Sequence, residues 1–585
     1  MDFHRIFDIL PYQQARYAKP MAFSMRSSGG NVHWSTADAL RLVDEISMAL
    51  LRAGLNRGDR VGLIASDNTP WWHFCDFAVQ QAGGVAVPMH AVATDAELAY
   101  ILRDTELRFC FTSSNALAAR VREVAPDTLE NIWLFDGPGA LPLQSVGEEE
   151  GQQLEAIRAG ISEADLATII YTSGSTGEPK GVMLSHQNIV SNIKGVITLV
   201  PVDFTHRVFS FLPLSHVFER MVTWSYMAAG ATIYYAEQSG TLMRDIREAR
   251  PHYFTVVPRV LEKFYSGIQS AVAKRPAWVR RISKWAIGIG HAYKKGKKFP
   301  PAYWIQLFIA DFLVFRHWRN ALGGHVQGIM TGAAALRPQL GRLFSAAGIH
   351  IREGYGLTET SPVISFNRFD PGGVHFGTVG IPIPGVEVKI DNPDESGEGE
   401  ICVRGPGVMM GYYRRPQETQ EVLTAEGWFR TGDVGKFVHK RFLQITDRQK
   451  DLFKVSGGRY VAPQLVERAL LESPYIENCM VFGADRPYVT ALILPDFELL
   501  KSWCDANGVH WTAPQFMAIH PKVIKWLESE VGRCNESLAH YQRVKGLILV
   551  HEPWSEYSGH LTPTMKLRRS VILRQYEKDL AALYK

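Results

Sequence analysis

Cysteine is sparse in this 585-residue chain, and no two of its six cysteines stand in a C-x-x-C spacing; they are scattered at 75, 110, 402, 479, 504 and 534. That scatter argues against a zinc or disulfide framework and fits a reducing compartment. No stretch reaches the ~18 consecutive apolar residues of a bilayer-spanning helix. The first residues, MDFHRIFDILPYQQARYAKP, lack a basic segment followed by an apolar one, so no secretory signal is expected. A formal charge of +4 is too small for this length to indicate a nucleic-acid partner. Internal repeats, low-complexity tracts and Pro/Ser-rich linkers are also missing. Together these absences predict a cytoplasmic protein of ordinary globular composition, 46% hydrophobic and 21% charged, with room for two to four domains.

One absence is local. Between Lys263 and Ala310 there is no Asp or Glu, against ten Lys/Arg at 263, 274, 275, 280, 281, 284, 294, 295, 297 and 298. Trp278, Trp285, Tyr293, Phe299, Tyr303 and Trp304 are interleaved with them. Cations mixed with interfacial aromatics suit peripheral contact with an anionic membrane, where each cation is worth about 1 kcal/mol. A solvated helical face with its aromatics packed inward is the alternative. Nucleic acid is not expected, because no recognition motif accompanies the patch.

What is present is a regular alternation. STADALRLVDEISMALLRAG (Ser35–Gly54) opens on a capping Ser, carries apolar residues at helical spacing and stops at Gly. The runs RVGLIA, VAVPMH, LRFCFTS, DLATIIYTS, RVFSFLP, ATIYYAE and HYFTVVP read as strands between helical segments. The prediction is an α/β fold: a large N-terminal domain (1–446) of layered, largely parallel sheets and a small mobile α+β C-terminal domain (447–585). From Pro382 short runs such as GVEVKID and GEICVRG mark a β-rich subdomain at about 375–446. The hinge is placed at about 447–451.

Behind the apolar run 167–170 stands YTSGSTGEPKG, with three Gly, four Ser/Thr and one Lys in residues 171–181. Its spacing is not Walker A: Lys180 is not preceded by Gly, and Gly181 follows where that motif has Ser or Thr. Its chemistry still favours anions, because glycines let backbone N–H groups converge while Thr172, Ser173, Ser175 and Thr176 add hydroxyls and Lys180 adds charge.

YTSGSTGEPKGVMLSH resembles the phosphate-binding motif of the AMP-forming adenylating enzymes, the superfamily of acyl-CoA synthetases, luciferases and peptide-synthetase adenylation domains. MTGAAALRP, REGYGLTETSP, GEICVRGPGVMMGYYRRPQET, GWFRTGDVG, DRQKDLFKVSGGRYVAP and LTPTMKLRR follow in that superfamily's order. The resemblance implies attack of a carboxylate on the α-phosphorus of ATP to give an acyl-adenylate, then transfer to a thiol. Both reactants are anionic, so the site must supply positive charge along their approach.

Carried over residue by residue, the resemblance implies ATP contacts from Thr172, Ser173, Gly174, Ser175, Thr176, Gly177 and Lys180. Gly332, Ala333 and Ala334 then contact adenine, and Tyr355 stacks on it between Gly354 and Gly356. Thr358 adds a hydroxyl at the phosphate, and Glu359 holds Mg²⁺. Asp433 clamps the ribose and Arg448 gives a second contact, a structural Asp433–Arg448 salt bridge being the lesser alternative. Lys566 bridges the carboxylate and the α-phosphate; without the resemblance it is an ordinary surface lysine. With Glu359 and Thr172 it completes the implied catalytic set. Lys450 is the pivot of the mobile domain, and Ser456, Gly457 and Gly458 line a CoA tunnel.

FLPLSHVFERMVTW matches the acyl-pocket motif, with His216, Val217, Phe218 and Trp224 as lining residues, His216 being equally readable as a core histidine. Apolar character here and the basic segment resemble long-chain and bubblegum-type acyl-CoA synthetases. The expectation is a long-chain fatty acid–CoA ligase using ATP, Mg²⁺ and CoA, cytoplasmic or peripheral on the inner membrane face, with a homodimer compatible. The alternatives are a fatty acyl-AMP ligase serving a carrier protein and a non-catalytic fatty-acid-binding protein on the same fold.

Overall fold

The structure is a computed structural model that describes residues 1–27, 30–172, 178–237, 239–293, 299–448, 452–456, 459–555, 558–561 and 567–584. Contacts divide the chain into two units. The first comprises Met1–Lys389, Cys402–Arg430 and His439–Leu443; the second comprises Ile390–Ile401, Thr431–Val438 and Gln444–Lys585.

The first unit contains two mixed sheets. In the nine-stranded sheet the order is Ile381–Pro382, Val363–Phe366, His350–Gly356, Gly328–Thr331, Tyr253–Val256, Arg207–Ser210, Thr232–Tyr235, Phe23–Ser27, Gly30–Trp34. Its central pairings are parallel, with Thr331 beside Glu353 and Phe254 beside Phe209. Its edges are antiparallel. The seven-stranded sheet runs Gly411–Tyr412, Lys180–Ser185, Leu166–Thr172, Val85–His90, Arg60–Ala65, Phe109–Thr112, Asn131–Leu134, and is parallel except at its first two pairings. Parallel strands need covered faces, and helices such as Thr36–Arg52, Pro70–Gln81 and Val217–Ala228 supply the cover, burying Leu42, Ile46, Phe74, Phe77 and Met221 in one core.

The helix read from Ser35 onward forms because its ends are chemically marked. Ser35 Oγ accepts from the Asp38 N–H at 3.0 Å and the Asp38 carboxylate accepts from the Ser35 N–H at 3.0 Å, a reciprocal cap. Such a cap is worth about 1 kcal/mol.

A four-stranded sheet has the order Glu387–Asp391, Gly399–Arg404, Phe429–Val438, Phe442–Arg448. Within the second unit the strands Ile476–Phe482, Val489–Pro495 and Val544–Leu549 form a three-stranded sheet. Helices Pro463–Leu470 and Pro521–Cys534 close over it, burying Val466, Leu470, Leu527 and Val531 in a separate core. All six cysteines are buried free thiols. Among the described residues no helix is long and apolar enough to cross a membrane.

Candidate functional site

The strand Leu166–Thr172 turns back antiparallel as Lys180–Ser185, with Thr172 opposite Lys180 and Ile170 opposite Val182. The glycine-rich loop therefore connects the arms of a hairpin. Ser173, Gly174, Ser175, Thr176 and Gly177 lie outside the described residues. The hairpin's base is held on both sides. Tyr171 donates its hydroxyl to Asp104, and Arg415 donates to Glu178 Oε2 at 2.7 Å and to the Tyr100 hydroxyl at 2.8 Å. Lys180 pairs with Glu418, and its ammonium sits 5.1 Å from the centre of the Tyr412 ring. Glu178, Lys180, Arg415 and Glu418 line an open polar depression.

The acidic motif occupies the end of the strand His350–Gly356 and the short 3₁₀ turn Thr358–Thr360. At Gly356 any side chain is excluded, because a Cβ would fall 1.8 Å from the Pro362 carbonyl oxygen. Thr358 and Tyr355 are buried, while Glu359 is half-buried. Tyr412 donates its hydroxyl to Glu359 Oε1 at 3.0 Å, and the Met409 N–H donates to the Glu359 carbonyl at 2.9 Å. Gly332 is buried, and a Cβ there would lie 3.3 Å from the Gly354 carbonyl and 3.7 Å from the tip of Phe218. Gly332, Gly354 and Phe218 thus meet. Ala333 adopts φ +68° and Ala334 is exposed.

His216 caps the helix Val217–Ala228, its Nδ1 accepting from the Phe218 N–H at 3.2 Å. Its ring faces His90, centroids 6.5 Å apart, and His90 Nδ1 is 2.6 Å from Ser215 Oγ. Val217 and Trp224 are fully packed into the main core, with Trp224 under the Arg220 guanidinium at 4.7 Å. Arg220 is itself enclosed and pairs with Asp76 through two hydrogen bonds of 2.7 and 2.5 Å. Next to it Glu219 is buried among apolar groups and accepts from Ser210 at 2.7 Å and Thr255 at 2.5 Å. Burial pushes its carboxyl up to about 7. The enclosed His73 is driven the other way, to about 3, by burial and by the Arg220 charge.

In the second unit Asp433 is buried and its Oδ1 accepts from Arg448 Nε at 2.9 Å. Ser456 donates to the Asp485 carbonyl at 3.0 Å. Lys450, Gly457, Gly458 and Lys566 lie outside the described residues. Three positions beyond Lys566, Arg569 forks onto both oxygens of the buried Glu467, each at 2.6 Å, which fixes the start of the helix Arg569–Gln575.

A family model described as AMP-binding enzyme matches residues 12–413, and one described as AMP-binding enzyme C-terminal domain matches residues 450–585. The chain belongs to the AMP-binding enzyme family. Its sequence is 31% identical to a long-chain-fatty-acid–CoA ligase of Mycobacterium bovis, over 94% of this chain and 92% of the relative. It is 30% identical to the peroxisomal long chain acyl-CoA synthetase 7 of Arabidopsis thaliana, over 97% and 84%. The anthranilate CoA ligase AuaEII, solved with anthranoyl-AMP, has the same fold with a TM-score of 0.71 at 20% identity, covering 99% of this chain and 98% of that one.

Several residues of this AMP-binding enzyme that shape the site are not visible in the motifs. Asn188 and Asn192 stand four apart on the helix His186–Ile197, directly after the hairpin. The Asn188 amide donates to the carbonyls of Pro406 (2.7 Å) and Val408 (2.9 Å). Asn192 donates to the carbonyls of Thr360 (3.3 Å) and Val363 (2.8 Å) and accepts from the Val363 N–H at 3.2 Å. One helix therefore grips both the turn carrying Glu359 and the strap carrying Met409 and Tyr412. The i, i+4 pair of Asn in SHQNIVSNI is the only local signal, and it reads equally as solvated polarity.

Proposed function

We propose that this AMP-binding enzyme is a long-chain fatty acid–CoA ligase. A fatty carboxylate oxygen attacks the α-phosphorus of ATP, forming acyl-AMP and releasing pyrophosphate. The CoA thiol then attacks the acyl carbon, forming acyl-CoA and releasing AMP and a proton. The observation that carries this reading is the near full-length similarity to long-chain acyl-CoA ligases of bacterial and plant origin, spanning both family domains.

The residue roles follow from the motifs. The loop from Thr172 to Gly177 and Lys180 contacts phosphates, Gly332–Ala334 and Tyr355 hold adenine, and Asp433 with Arg448 holds the ribose. Lys566 stabilises charge at the α-phosphorus, a kind of contact typically worth about 3–4 kcal/mol. His216 and Phe218 border the acyl chain, Lys450 serves as the pivot, and Ser456 lies on the thiol's path. Glu359 is the proposed Mg²⁺ ligand. A hard cation held by one carboxylate together with substrate phosphate oxygens and water is the usual Mg²⁺ arrangement. A cytoplasmic location with peripheral contact to an anionic inner membrane face through 263–310 completes the reading.

Purified protein incubated with ATP, Mg²⁺, palmitate and CoA should yield AMP and palmitoyl-CoA, with acetate and an amino acid as poor substrates. Palmitoyl-AMP without thioester would transfer the assignment to an acyl-AMP ligase; no adenylate at all would leave a binding protein. Lys566→Ala should abolish pyrophosphate release while largely keeping thioester formation from supplied palmitoyl-AMP.

A further inference from the structure

The helix Pro301–Ala310 is apolar apart from the exposed Gln306 and the hydroxyl of Tyr303. Ala310 is packed in the core with Val314 and Phe315 of the π turn Asp311–Phe315 that follows. The opposite side carries Trp304, Ile305, Phe308, Ile309, Phe312 and Leu313, all exposed, with Ile305 at 61% and Phe308 at 73%. A surface helix in water normally turns a polar face outward, whereas this one turns out a single polar side chain, Gln306, among large apolar ones. The six residues form two rows at four-residue spacing. On an α-helix such rows drift around the axis, and the wider π turn takes back part of that drift where Phe312 and Leu313 join them. The result is one ridge.

Beside the ridge lies the helix Ala277–Ala292, joined to it by the Tyr303 hydroxyl donating to the Ile289 carbonyl at 3.1 Å. It exposes Trp278 and Trp285 together with Arg280, Arg281 and Lys284. The nearest acid in sequence after the ridge helix, Asp311, is occupied by Arg319 at 2.5 and 2.9 Å.

We propose that this ridge inserts into the headgroup–acyl boundary of an anionic bilayer, with the neighbouring cations on the phosphates. The proposal deepens the membrane contact proposed above, replacing adhesion of a cation patch by burial of the 304–313 ridge, and it rests on the ligase reading only for its purpose, delivery of a lipid-soluble acid. Charge selects the occupant. A second copy seated face to face would set the same cation-rich surface against itself, its one acid within 263–313, Asp311, being paired with Arg319, whereas anionic headgroups neutralise it. Fifteen helical residues are too few to span the ~30 Å hydrocarbon layer, so the ridge lies in the plane of the interface.

The test is flotation of the full chain with phosphatidylcholine vesicles containing or lacking phosphatidylglycerol. Wild type should float with the anionic vesicles, and part of that binding should survive high salt. Ile305→Ser with Phe308→Ser should lose the salt-resistant part, a drop on the order of tenfold or more for two large side chains kept from lipid. Arg280→Ser, Arg281→Ser and Lys284→Ser together should lose the salt-sensitive part. Brominated acyl chains should quench wild type more than Trp304→Phe. Flotation of the Ser variant equal to wild type overturns the proposal. So does a wild-type dimer that this variant dissociates, seen without bromine quenching, which would give the face to a second copy. Palmitoyl-CoA formation from detergent-dispersed palmitate separates the two readings. Wild type that floats but forms no thioester refutes the ligase assignment alone, and wild type that forms thioester but never floats refutes the ridge alone.

Discussion

Tyr412 donates its phenolic hydroxyl to Glu359 at 3.0 Å across 53 positions of sequence, while Lys180 rests on the face of the same ring at 5.1 Å. One side chain therefore touches both the proposed Mg²⁺ carboxylate and the proposed phosphate cation. Burial and the neighbouring Glu359 carboxylate push the Tyr412 phenol upward, so it remains a donor at any assay pH. Removing that donor with Tyr412→Phe keeps the ring beneath Lys180 and takes away the hydrogen bond that orients the Glu359 carboxylate. With Glu359 half-buried, the lost hydrogen bond is worth about 1 kcal/mol. We expect a several-fold rise in the Mg²⁺ concentration needed for half-maximal pyrophosphate release, with the palmitate KM unchanged. An unshifted Mg²⁺ titration would remove Tyr412 from the site.

Asn192 carries a heavier structural role. Asn192→Ala strips partners from the buried Thr360 and Val363 carbonyls and the Val363 N–H, each loss costing about 1–3 kcal/mol. Local compensation by water reduces the sum, so a fall in thermal midpoint of several degrees is expected. If the residue positions Glu359, kcat should also fall at temperatures well below the midpoint while the palmitate KM stays near wild type. A variant that melts early but turns over normally when cold would confine Asn192 to packing.

The uneven legibility of these features has a physical origin. Ser35 and Asp38 are three residues apart and mark a helix start by themselves, and Arg60–Ala65 and Val85–His90 declare themselves by β-branched runs between turn residues. The hairpin did not: Thr172 faces Lys180, but a loop rich in Gly and Ser fits a strand-to-helix turn equally well. The motif residues could be named singly, yet which of them touch was decided by pairings such as Asp76 with Arg220, 144 positions apart. The ridge was half-seen. Its cations and Trp304 are marked by their interleaving in the sequence, whereas nothing local to Phe308, Phe312 and Leu313 shows that the fold exposes them.

Lys180 is engaged with Glu418, and that engagement makes a signed prediction. A lysine that binds phosphate must leave or share its carboxylate, so on the role proposed for Lys180 its partner Glu418 competes with the nucleotide. Both side chains are partly exposed, at 21% and 27%, and such pairs are worth about 0.2–1 kcal/mol. Glu418→Gln should lower the ATP KM a few-fold, with the largest effect at low salt, while Lys180→Ala raises it. The opposite sign in Glu418→Gln would mean that the carboxylate orients Lys180 toward the phosphate.

Glu219 predicts a pH dependence of stability. Buried between Ser210 and Thr255, its carboxyl is raised from 4.5 to about 7. The folded state therefore holds a proton that the unfolded chain has released, and stability from this group falls as pH rises from about 4.5 to about 7 and stays lost above that. At about 1.4 kcal/mol per unit the full swing is on the order of 3 to 4 kcal/mol. Glu219→Gln cannot ionise, and its amide can still meet both hydroxyls. The buried His73, held near 3, works in the opposite sense below its usual range, but it is common to both proteins and cancels in their difference. The thermal midpoint of Glu219→Gln minus that of wild type should therefore increase between about pH 5 and pH 8, by a few degrees. Parallel curves across that window would show that Glu219 ionises normally in the folded chain.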